Sequence, residues 1–196
     1  MKIKYNIQLK TVTFKPLVLK RWRDFVNLFS EPGVQHGCWC MWWRLTRERF
    51  HRQYGRGNKA AFKKIVATGQ APGIIAYDKR KPVAWCAVAP REDYASLDRS
   101  PVLKRIDDRP VWSITCFFVS KPFRGRGLNR LLIQAAIAHV RKQGGRIVEA
   151  YPVRKVKNPD TVKWALYTGL ADTFIRLGFK TVSRKSKVRF VMRFYL

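Results

Sequence analysis

The sequence predicts a mixed α/β fold in which helices cover both faces of a largely antiparallel sheet of six to seven strands. Residues 111–152 read as a strand, a glycine-containing turn, a helix and a second strand, the order of a parallel βαβ crossover. The other strand-like segments occur mostly as hairpins, which pair antiparallel. Since 196 residues with 46% hydrophobic side chains suffice for one sizeable core, we expect residues 1–196 to form a single domain.

The N-terminal part of the chain contains one strand pattern and two helix patterns. Residues 3–14 alternate between polar and apolar side chains, which predicts a first strand. Apolar residues at helical spacing then predict an amphipathic helix over residues 17–29. A second helix is predicted over residues 58–68, with Asn58 as its N-cap because a short amide side chain can accept from the first turn.

Two strands and an irregular loop follow before the crossover. Residues 73–77 and 83–89 are rich in apolar residues and flank a short polar turn, which predicts a hairpin. Residues 91–108 are polar and irregular, so we expect a surface loop with a short helix near residues 102–106.

The βαβ crossover can be recognised because the pattern of apolar residues changes from that of a strand to that of a helix and back. Residues 111–119 are dense in β-branched and aromatic residues and therefore predict a buried strand. Residues 128–143 carry apolar side chains at helical spacing, and Gly144 and Gly145 are typical of a helix end. Residues 146–151 predict the second strand of the parallel pair.

The C-terminal part is predicted to contain two short helices and a closing hairpin. The first helix is expected to start at Asn158 and the second to cover residues 170–177. Residues 179–183 and 188–195 predict the hairpin. In the last strand apolar residues alternate with arginines, so the two sets are expected to face opposite sides of the sheet.

The turn between strand and helix has the features of an anion site. A helix start presents unpaired backbone N–H groups and a partial positive charge, and phosphates bind such places. Gly125 and Gly127 allow the backbone to approach an anion closely. Basic side chains surround the same turn, namely Lys121, Arg124, Arg126 and Arg130. These residues predict a phosphate or pyrophosphate ligand; the alternatives are a solvated basic turn or part of an RNA-binding arginine-glycine segment.

The segment RGRGLN at residues 124–129 resembles the Q/R-x-x-G-x-G/A signature of the GCN5-related N-acetyltransferase (GNAT) superfamily. The resemblance extends from about residue 73 to the C-terminus, and Asn129 stands where Gly or Ala is usual. It implies a sheet whose central parallel pair splays, acetyl-CoA as acyl donor and no metal. The implied acetyl-CoA-binding residues are Phe117, Phe118, Val119, Arg124, Gly125, Arg126, Gly127, Leu128 and Asn129.

The segment GCWCMWWR at residues 37–44 is unusually dense in tryptophan and cysteine. It resembles a segment of one bacterial group within the superfamily, where this region helps to form the acceptor pocket. The resemblance implies that Trp39, Trp42 and Trp43 contact the acceptor, although aromatic residues are equally suited to a core. Alternative hypotheses, which the residues leave open, are a nucleophilic cysteine at Cys38 or Cys40 and a base at His36.

The resemblance also implies the reaction, which is direct attack of an amine on the thioester of acetyl-CoA. The family often uses a tyrosine as the acid at the position that Phe174 occupies here, and phenylalanine has no proton to donate. Tyr167 or Tyr151 could replace it, and Glu149 could act as general base or acceptor ligand. Each of these residues could instead be structural, and the thiolate could leave without an acid.

The charge of the chain suggests a second partner. Lys and Arg number 41 against 12 Asp and Glu, a net charge of +29, which is more than acetyl-CoA requires. The excess is consistent with a nucleic acid partner or with a generally solvated basic surface. The sequence shows neither a secretory signal nor a membrane span, and the four cysteines have no disulfide or metal spacing. We therefore expect a cytoplasmic protein without membrane contact, with a homodimer possible.

These observations lead to three hypotheses about function. The first is acetyl transfer to a primary amine of an unidentified small molecule or peptide. The second is acetyl transfer to an RNA-linked amine such as aminoacyl-tRNA, which would use the basic surface. The third is a non-catalytic module that binds acyl-CoA or nucleic acid. A polycationic acceptor such as an aminoglycoside is disfavoured because the positive field of the protein would repel it.

Overall fold

The structure, a computed structural model, describes residues 11–32, 37–154, 156 and 159–196. Seven strands form one sheet in the order β1-β2-β3-β4-β5-β7-β6. The strands are β1 (Val12–Pro16), β2 (Gly73–Asp78), β3 (Lys81–Pro90), β4 (Trp112–Val119), β5 (Ile147–Ala150), β6 (Lys180–Ser183) and β7 (Val191–Tyr195). The α-helices are α1 (Trp22–Phe29), α2 (Arg47–Arg52), α3 (Arg56–Ala67), α4 (Ala95–Asp98), α5 (Leu128–Lys142) and α6 (Ala171–Ile175).

Both faces of the sheet are covered, as the sequence predicts. Along β2, Ile74 and Ala76 pack with residues of α5, whereas Ile75 and Tyr77 pack with residues of α1 and α3. All these side chains are buried. Because successive side chains of a strand point to opposite faces of the sheet, β2 contributes to a hydrophobic core on each face. In the described ranges, no helix has the length and apolar character needed to cross a membrane.

The central parallel pair splays. The strands β4 and β5 pair only from Trp112 to Ile114, although β4 continues to Val119. On its other side, β4 stays paired with β3, and the register shifts so that Thr115 is an extra residue in β4. Such a bulge bends a strand and increases its twist. The edge of β4 beyond Ile114 is therefore not paired with β5.

The ends of several elements differ from the sequence prediction. The first strand is described only from Val12 and extends to Pro16, because its partner β2 continues pairing to that point. The predicted helix over residues 17–29 begins with a 3-10 turn at Leu19–Arg21 before α1. The helix α2 was not predicted; Thr46 caps it by accepting a hydrogen bond from the backbone N–H of Arg49 at 3.1 Å.

Asn58 does not cap a helix, which corrects the prediction. The helix α3 begins two residues earlier, at Arg56, and Asn58 is fully buried within it. Its side-chain amide donates to the carbonyl of Gly37 at 2.9 Å and accepts from the amide of Gln53 at 3.0 Å. Asn58 therefore ties α3 to the segment that carries the tryptophans.

Two further expectations need correction. The short helix predicted near residues 102–106 is absent from the described loop, which instead has a 3-10 turn at Arg91–Asp93 followed by α4. The last strand starts at Val191 rather than at residue 188. Residues 188–190 instead pair with the segment around Val153, since the backbone N–H of Phe190 donates to the Pro152 carbonyl at 3.1 Å. The predicted helix start at Asn158 lies outside the described residues.

A buried ionic network lies at the base of the splay. Glu149 on β5 is 1% exposed, and its carboxylate accepts from Arg91 Nη1 at 2.8 Å, from Arg193 Nε at 2.8 Å and from the Tyr151 hydroxyl at 2.7 Å. Arg193 lies directly opposite Glu149 on β7 and also donates to Asp107 at 2.7 Å. This hydrogen bond, with one from Arg109, holds the pKa of Asp107 well below its usual range. Arg193, the arginine within β7, is therefore buried and paired.

We expect Glu149→Ala to lower the free energy of unfolding by about 3–5 kcal/mol, because it leaves two buried guanidinium groups without their shared carboxylate. The measurement is chemical denaturation monitored by tryptophan fluorescence. The matched control is Glu48→Ala, which removes an exposed partner of Arg52 and should change the value by less than about 0.5 kcal/mol. Equal effects of the two substitutions would contradict a structural role for Glu149.

Candidate active site

A cleft of about 1580 Å³ begins where β4 leaves β5. One part of its wall is formed by the end of β4 and the start of α5, and the other part by residues of the segments 38–50, 96–103, 164–167 and 186–189. Because the sheet edge of β4 faces this space without a partner strand, its backbone N–H and C=O groups are available to a ligand. The cleft is therefore the candidate active site.

The turn before α5 forms one end of the cleft. Gly125 and Gly127 have φ angles of 73° and 78°, and a Cβ atom built on either would meet no protein atom within 4 Å. Both residues line the cleft together with Leu128 and Asn129. The amide oxygen of Asn129 is buried and has no hydrogen-bond partner within the described part of the chain. This end combines a helix N-terminus, space beside two glycines and an unpaired polar atom, which suits an anionic ligand with hydrogen-bond donors of its own.

The end of β4 continues from this turn along the cleft. Phe117, Phe118 and Val119 all line it, and their contact with acetyl-CoA stays a prediction. The Arg124 side chain also lines the cleft, and its Nε donates to the Val119 carbonyl at 2.8 Å. Arg126 is not among the residues that line the cleft, so its predicted contact with the ligand receives no support from the position of its side chain.

The predicted acceptor tryptophans divide into two groups. Trp42 and Trp43 line the cleft. Trp39 does not; it packs against Phe25 and Phe29 with ring centroids 6.2 and 5.9 Å away, and Lys59 lies over its ring. Trp39 is thus half-buried and packs against the core between the sheet and α1. The contact of Trp42 and Trp43 with the acceptor stays a prediction that their place in the cleft wall allows.

The two cysteines considered as nucleophiles lie at the cleft wall as protonated thiols. Burial raises the pKa of Cys38 to about 11, and burial likewise raises the pKa of Cys40 well above its ordinary value. The thiolate is the reactive form of cysteine, so these environments disfavour a covalent acetyl-cysteine. His36, the alternative base, lies outside the described residues.

Of the three predicted catalytic residues, Tyr167 alone lines the cleft. Burial raises its pKa, and the nearby Arg189 guanidinium opposes that shift. Glu149 and Tyr151 lie in the buried ionic network, where Tyr151 also shares a hydrogen bond of 2.8 Å with Ser113. Phe174 is fully buried against Phe117 and Phe179. The position that the family signature gives to a tyrosine is here part of the core.

Arg189 is the cleft residue that the sequence analysis missed as a candidate. It is 6% exposed and lines the cleft, and its guanidinium carbon lies 5.1–5.5 Å from the ring centroids of Trp43, Trp164 and Tyr167. The sequence shows it only as one of the arginines that alternate with apolar residues near the C-terminus. Its partners lie far away along the chain, so no local pattern could indicate the cluster.

The sequence and the fold were then compared with known proteins. Residues 39–170 match the model of the acetyltransferase (GNAT) family. The chain belongs to the acetyltransferase (GNAT) family. The match spans most of the cleft, including Trp42, Trp43, the glycine turn and Tyr167. Comparison with curated protein sequences finds no significant match.

Solved structures of other acetyltransferases share the fold at low sequence identity. The polyamine N-acetyltransferase of Drosophila melanogaster is 11% identical, with a TM-score of 0.57 over 94% of this chain and 100% of its own. The PaiA N-acetyltransferase of Thermoplasma acidophilum, solved with coenzyme A, is 11% identical, with a TM-score of 0.53 over 94% and 99%. A chain of the NatC complex bound to Gag peptide and CoA is 12% identical, with a TM-score of 0.54 over 94% and 98%.

The cleft of this GNAT acetyltransferase fits coenzyme A. Its diphosphate requires an anion site with close backbone approach, which the open glycine turn at the start of α5 offers. Its pantetheine arm carries amide groups, which the unpaired edge of β4 could pair with. The unpaired amide oxygen of Asn129 would accept a hydrogen bond there, so this departure from the family signature is compatible with binding.

We expect Gly127→Asp to weaken acetyl-CoA binding by roughly 100-fold or more, since a carboxylate beside a bound phosphate costs several kcal/mol. The measurement is calorimetric titration with acetyl-CoA. The matched control is Gly144→Asp at the other end of α5, where φ is also 78° and the added Cβ again meets no protein atom. The Gly144→Asp control has the same backbone strain but should keep its affinity for acetyl-CoA. Equal affinity of the two variants for acetyl-CoA would contradict the assignment of the glycine turn as the diphosphate site.

Proposed function

We propose that the protein is an acetyl-CoA-dependent N-acetyltransferase that transfers the acetyl group to a primary amine of a small molecule or peptide by direct attack. The observation that carries the proposal is the continuity of the cleft. It runs from the glycine turn along the open edge of β4 to Trp42, Trp43 and Tyr167. Structures with this fold include proteins named for a polyamine acceptor and a complex bound to a peptide, which is consistent with an amine acceptor here.

Some residues of the chain bind and orient acetyl-CoA, and others take part in proton transfer. Bound acetyl-CoA supplies the acetyl thioester that the amine attacks. The glycine turn and residues 117–119 bind and orient the donor, and the bulge at Thr115 turns the backbone of β4 next to the point of the splay. Backbone N–H groups at this point are suited to stabilise the oxyanion that forms on the carbonyl oxygen. Positioning accounts for much of the rate in such a reaction.

The lining of the cleft restricts how protons move. Among the described residues that line it, there is no carboxylate and no imidazole, while Glu149 is enclosed by Arg91 and Arg193. We therefore propose that the amine reacts in its neutral form and loses its proton to water. Tyr167, whose pKa is raised, stays protonated at neutral pH and serves as the acid for the departing thiolate.

The proposed function is tested by incubating the protein with acetyl-CoA and a panel of primary amines and measuring the release of free coenzyme A thiol. Acetylation of at least one amine is the expected result. Tight binding of acetyl-CoA with no acetylation across small-molecule and peptide amines would favour a non-catalytic binding module instead.

We expect Tyr167→Phe to lower kcat by about 10²–10⁴-fold, the usual contribution of a positioned acid, without changing acetyl-CoA affinity. In the wild-type protein, deprotonation of Tyr167 should lower kcat at a pH above the ordinary tyrosine pKa of about 10, because the pKa of Tyr167 is raised. Tyr167→Phe has no hydroxyl at this position, so this decrease of kcat should be absent from its pH profile. The measurement is the pH profile of kcat in both proteins. The matched control is Tyr94→Phe, a buried tyrosine that does not line the cleft. An unchanged kcat in Tyr167→Phe would show that the thiolate leaves without this acid.

A second candidate is acetyl transfer to an amine carried by RNA. It is favoured by the net charge of +29 and by three exposed arginines that line the cleft, Arg47, Arg99 and Arg124. An RNA strand entering the cleft would place phosphates beside these cations.

For this candidate we expect binding of fluorescently labelled tRNA whose affinity falls steeply with salt. Contact with about four phosphates would give a slope of about −3 in log Kobs against log salt. The measurement is fluorescence anisotropy over a range of KCl concentrations. Charge reversal at Arg47 and Arg99 together should reduce the slope, and the same reversal at Arg23 and Lys64, away from the cleft, is the control. No binding at low salt would exclude RNA as the carrier of the acceptor.

A further inference from the structure

The acceptor end of the cleft contains a group of unpaired hydrogen-bond donors. Arg189 Nε and Nη2 are buried and have no hydrogen-bond partner among the described residues, and the same holds for Trp43 Nε1. The two residues are neighbours, with the guanidinium carbon 5.5 Å from the Trp43 ring centroid. Buried donors without partners are costly and rare in native structures. Three of them together therefore indicate a place for an acceptor-rich ligand group.

The unpaired atoms of Arg189 have a defined geometry. In a planar guanidinium, the N–H of Nε and one N–H of Nη2 point in the same direction and form a fork. This fork matches the two oxygens of a carboxylate or phosphate. The carbonyl of an amide or the hydroxyl of a sugar offers one neutral oxygen to the two branches and no opposite charge. The pattern of unpaired atoms therefore favours an anionic ligand group with two acceptor oxygens.

The surroundings of Arg189 hold this fork in place. The backbone N–H of Arg189 donates to Ser186 Oγ at 3.1 Å. The backbone of Arg189 also forms an isolated antiparallel β-bridge with Val153. The rings of Trp43, Trp164 and Tyr167 lie around the guanidinium within cation–π distance. Among the carboxylates whose side chains the structure describes, none forms an ion pair with Arg189. Its charge is therefore available for a ligand.

We propose that the acceptor of this acetyltransferase carries a carboxylate next to its reactive amine, and that Arg189 and Trp43 bind this carboxylate. The inference rests on the proposed function and narrows its substrate class to amino acids and related amines with a free acid group. Arg189 lies beside Tyr167, the proposed acid, so an acid group held by Arg189 would place a nearby amine in the reacting part of the cleft. The net charge of +29 attracts an acidic acceptor to the protein.

The first test compares substrates and requires no variant. L-amino acids and their carboxamides are assayed as acceptors with the wild-type protein. We expect kcat/KM to be roughly 10- to 100-fold higher for the free acid, the usual effect of a charge-assisted hydrogen-bonded pair. The amide has the less basic amine and a larger neutral fraction, so basicity cannot produce this preference. Equal values for acids and amides would overturn the inference while the proposed function stands.

The second test compares variants. We expect Arg189→Gln to lower the ratio of kcat/KM for the acids to kcat/KM for the amides by the same factor, mainly through the KM of the acids. Because Arg189 also lies beside Tyr167, an effect on this acid is shared by both substrates and cancels in the ratio. Arg189→Lys keeps the charge without the fork and should recover only part of the loss. The matched control is Arg184→Gln, an exposed arginine over the Phe190 ring, which should have no effect. An equal loss for acids and amides would show that Arg189 is only structural.

Two further experiments separate a carboxylate ligand from a phosphate ligand, and a failure of catalysis from a failure of this inference. O-phosphoethanolamine, β-alanine and ethanolamine carry the same kind of amine with a phosphate, a carboxylate or neither. A preference for the phosphate alone would assign Arg189 to a phosphate and overturn the carboxylate. If no amine is acetylated, binding of the acids and amides is measured by calorimetry at saturating coenzyme A. Equal or absent binding of the acids would overturn the inference independently of whether the protein catalyses transfer.

Discussion

The buried ion pairs of Glu149 constrain the centre of this fold. Glu149 faces Ser113 on one neighbouring strand and Arg193 on the other, and Arg91 approaches from the turn after β3. The pairing of β4 and β5 ends one residue later, at Ile114. Charged partners thus hold β5 between its neighbours at the place where β4 departs from it. Removing one partner would leave the others buried and uncompensated, which is why such a network permits little change.

The same network explains why the cleft contains so little acid–base chemistry. The carboxylate nearest to the splay is held by two arginines, and none of the described residues that line the cleft carries another carboxylate. The cleft instead presents arginines, aromatic rings and the thiols of Cys38 and Cys40, whose pKa values burial raises. Such a lining can bind anions and orient a neutral amine. It is poorly suited to removing a proton, so the proposed reaction relies on positioning.

Local signals predicted the part of the site that local interactions form. The strand, glycine turn and helix from residue 111 to 143 could be read because each depends on neighbours in sequence, and their boundaries agree closely with β4 and α5. Asn58 and Trp39 were assigned to a helix cap and to the acceptor pocket. Tertiary contact with Gly37 instead buries Asn58, and contact with Phe25 holds Trp39 against the core and away from the cleft wall. Residue type alone cannot distinguish an aromatic residue of the core from one that lines the cleft. Arg189 was missed because its partners Trp43, Trp164 and Tyr167 are tertiary contacts too.

The two anion sites proposed for the cleft differ in how they are formed. At the donor end, backbone groups and open space around Gly125 and Gly127 suit a diphosphate, and no side-chain charge has to be buried. At the acceptor end, the guanidinium of Arg189 is itself buried, so its cost is offset only when an anion is bound. The second site should therefore discriminate more strongly than the first. A ligand without the acid group would leave the fork unpaired, and this penalty is the physical basis of the specificity that we propose.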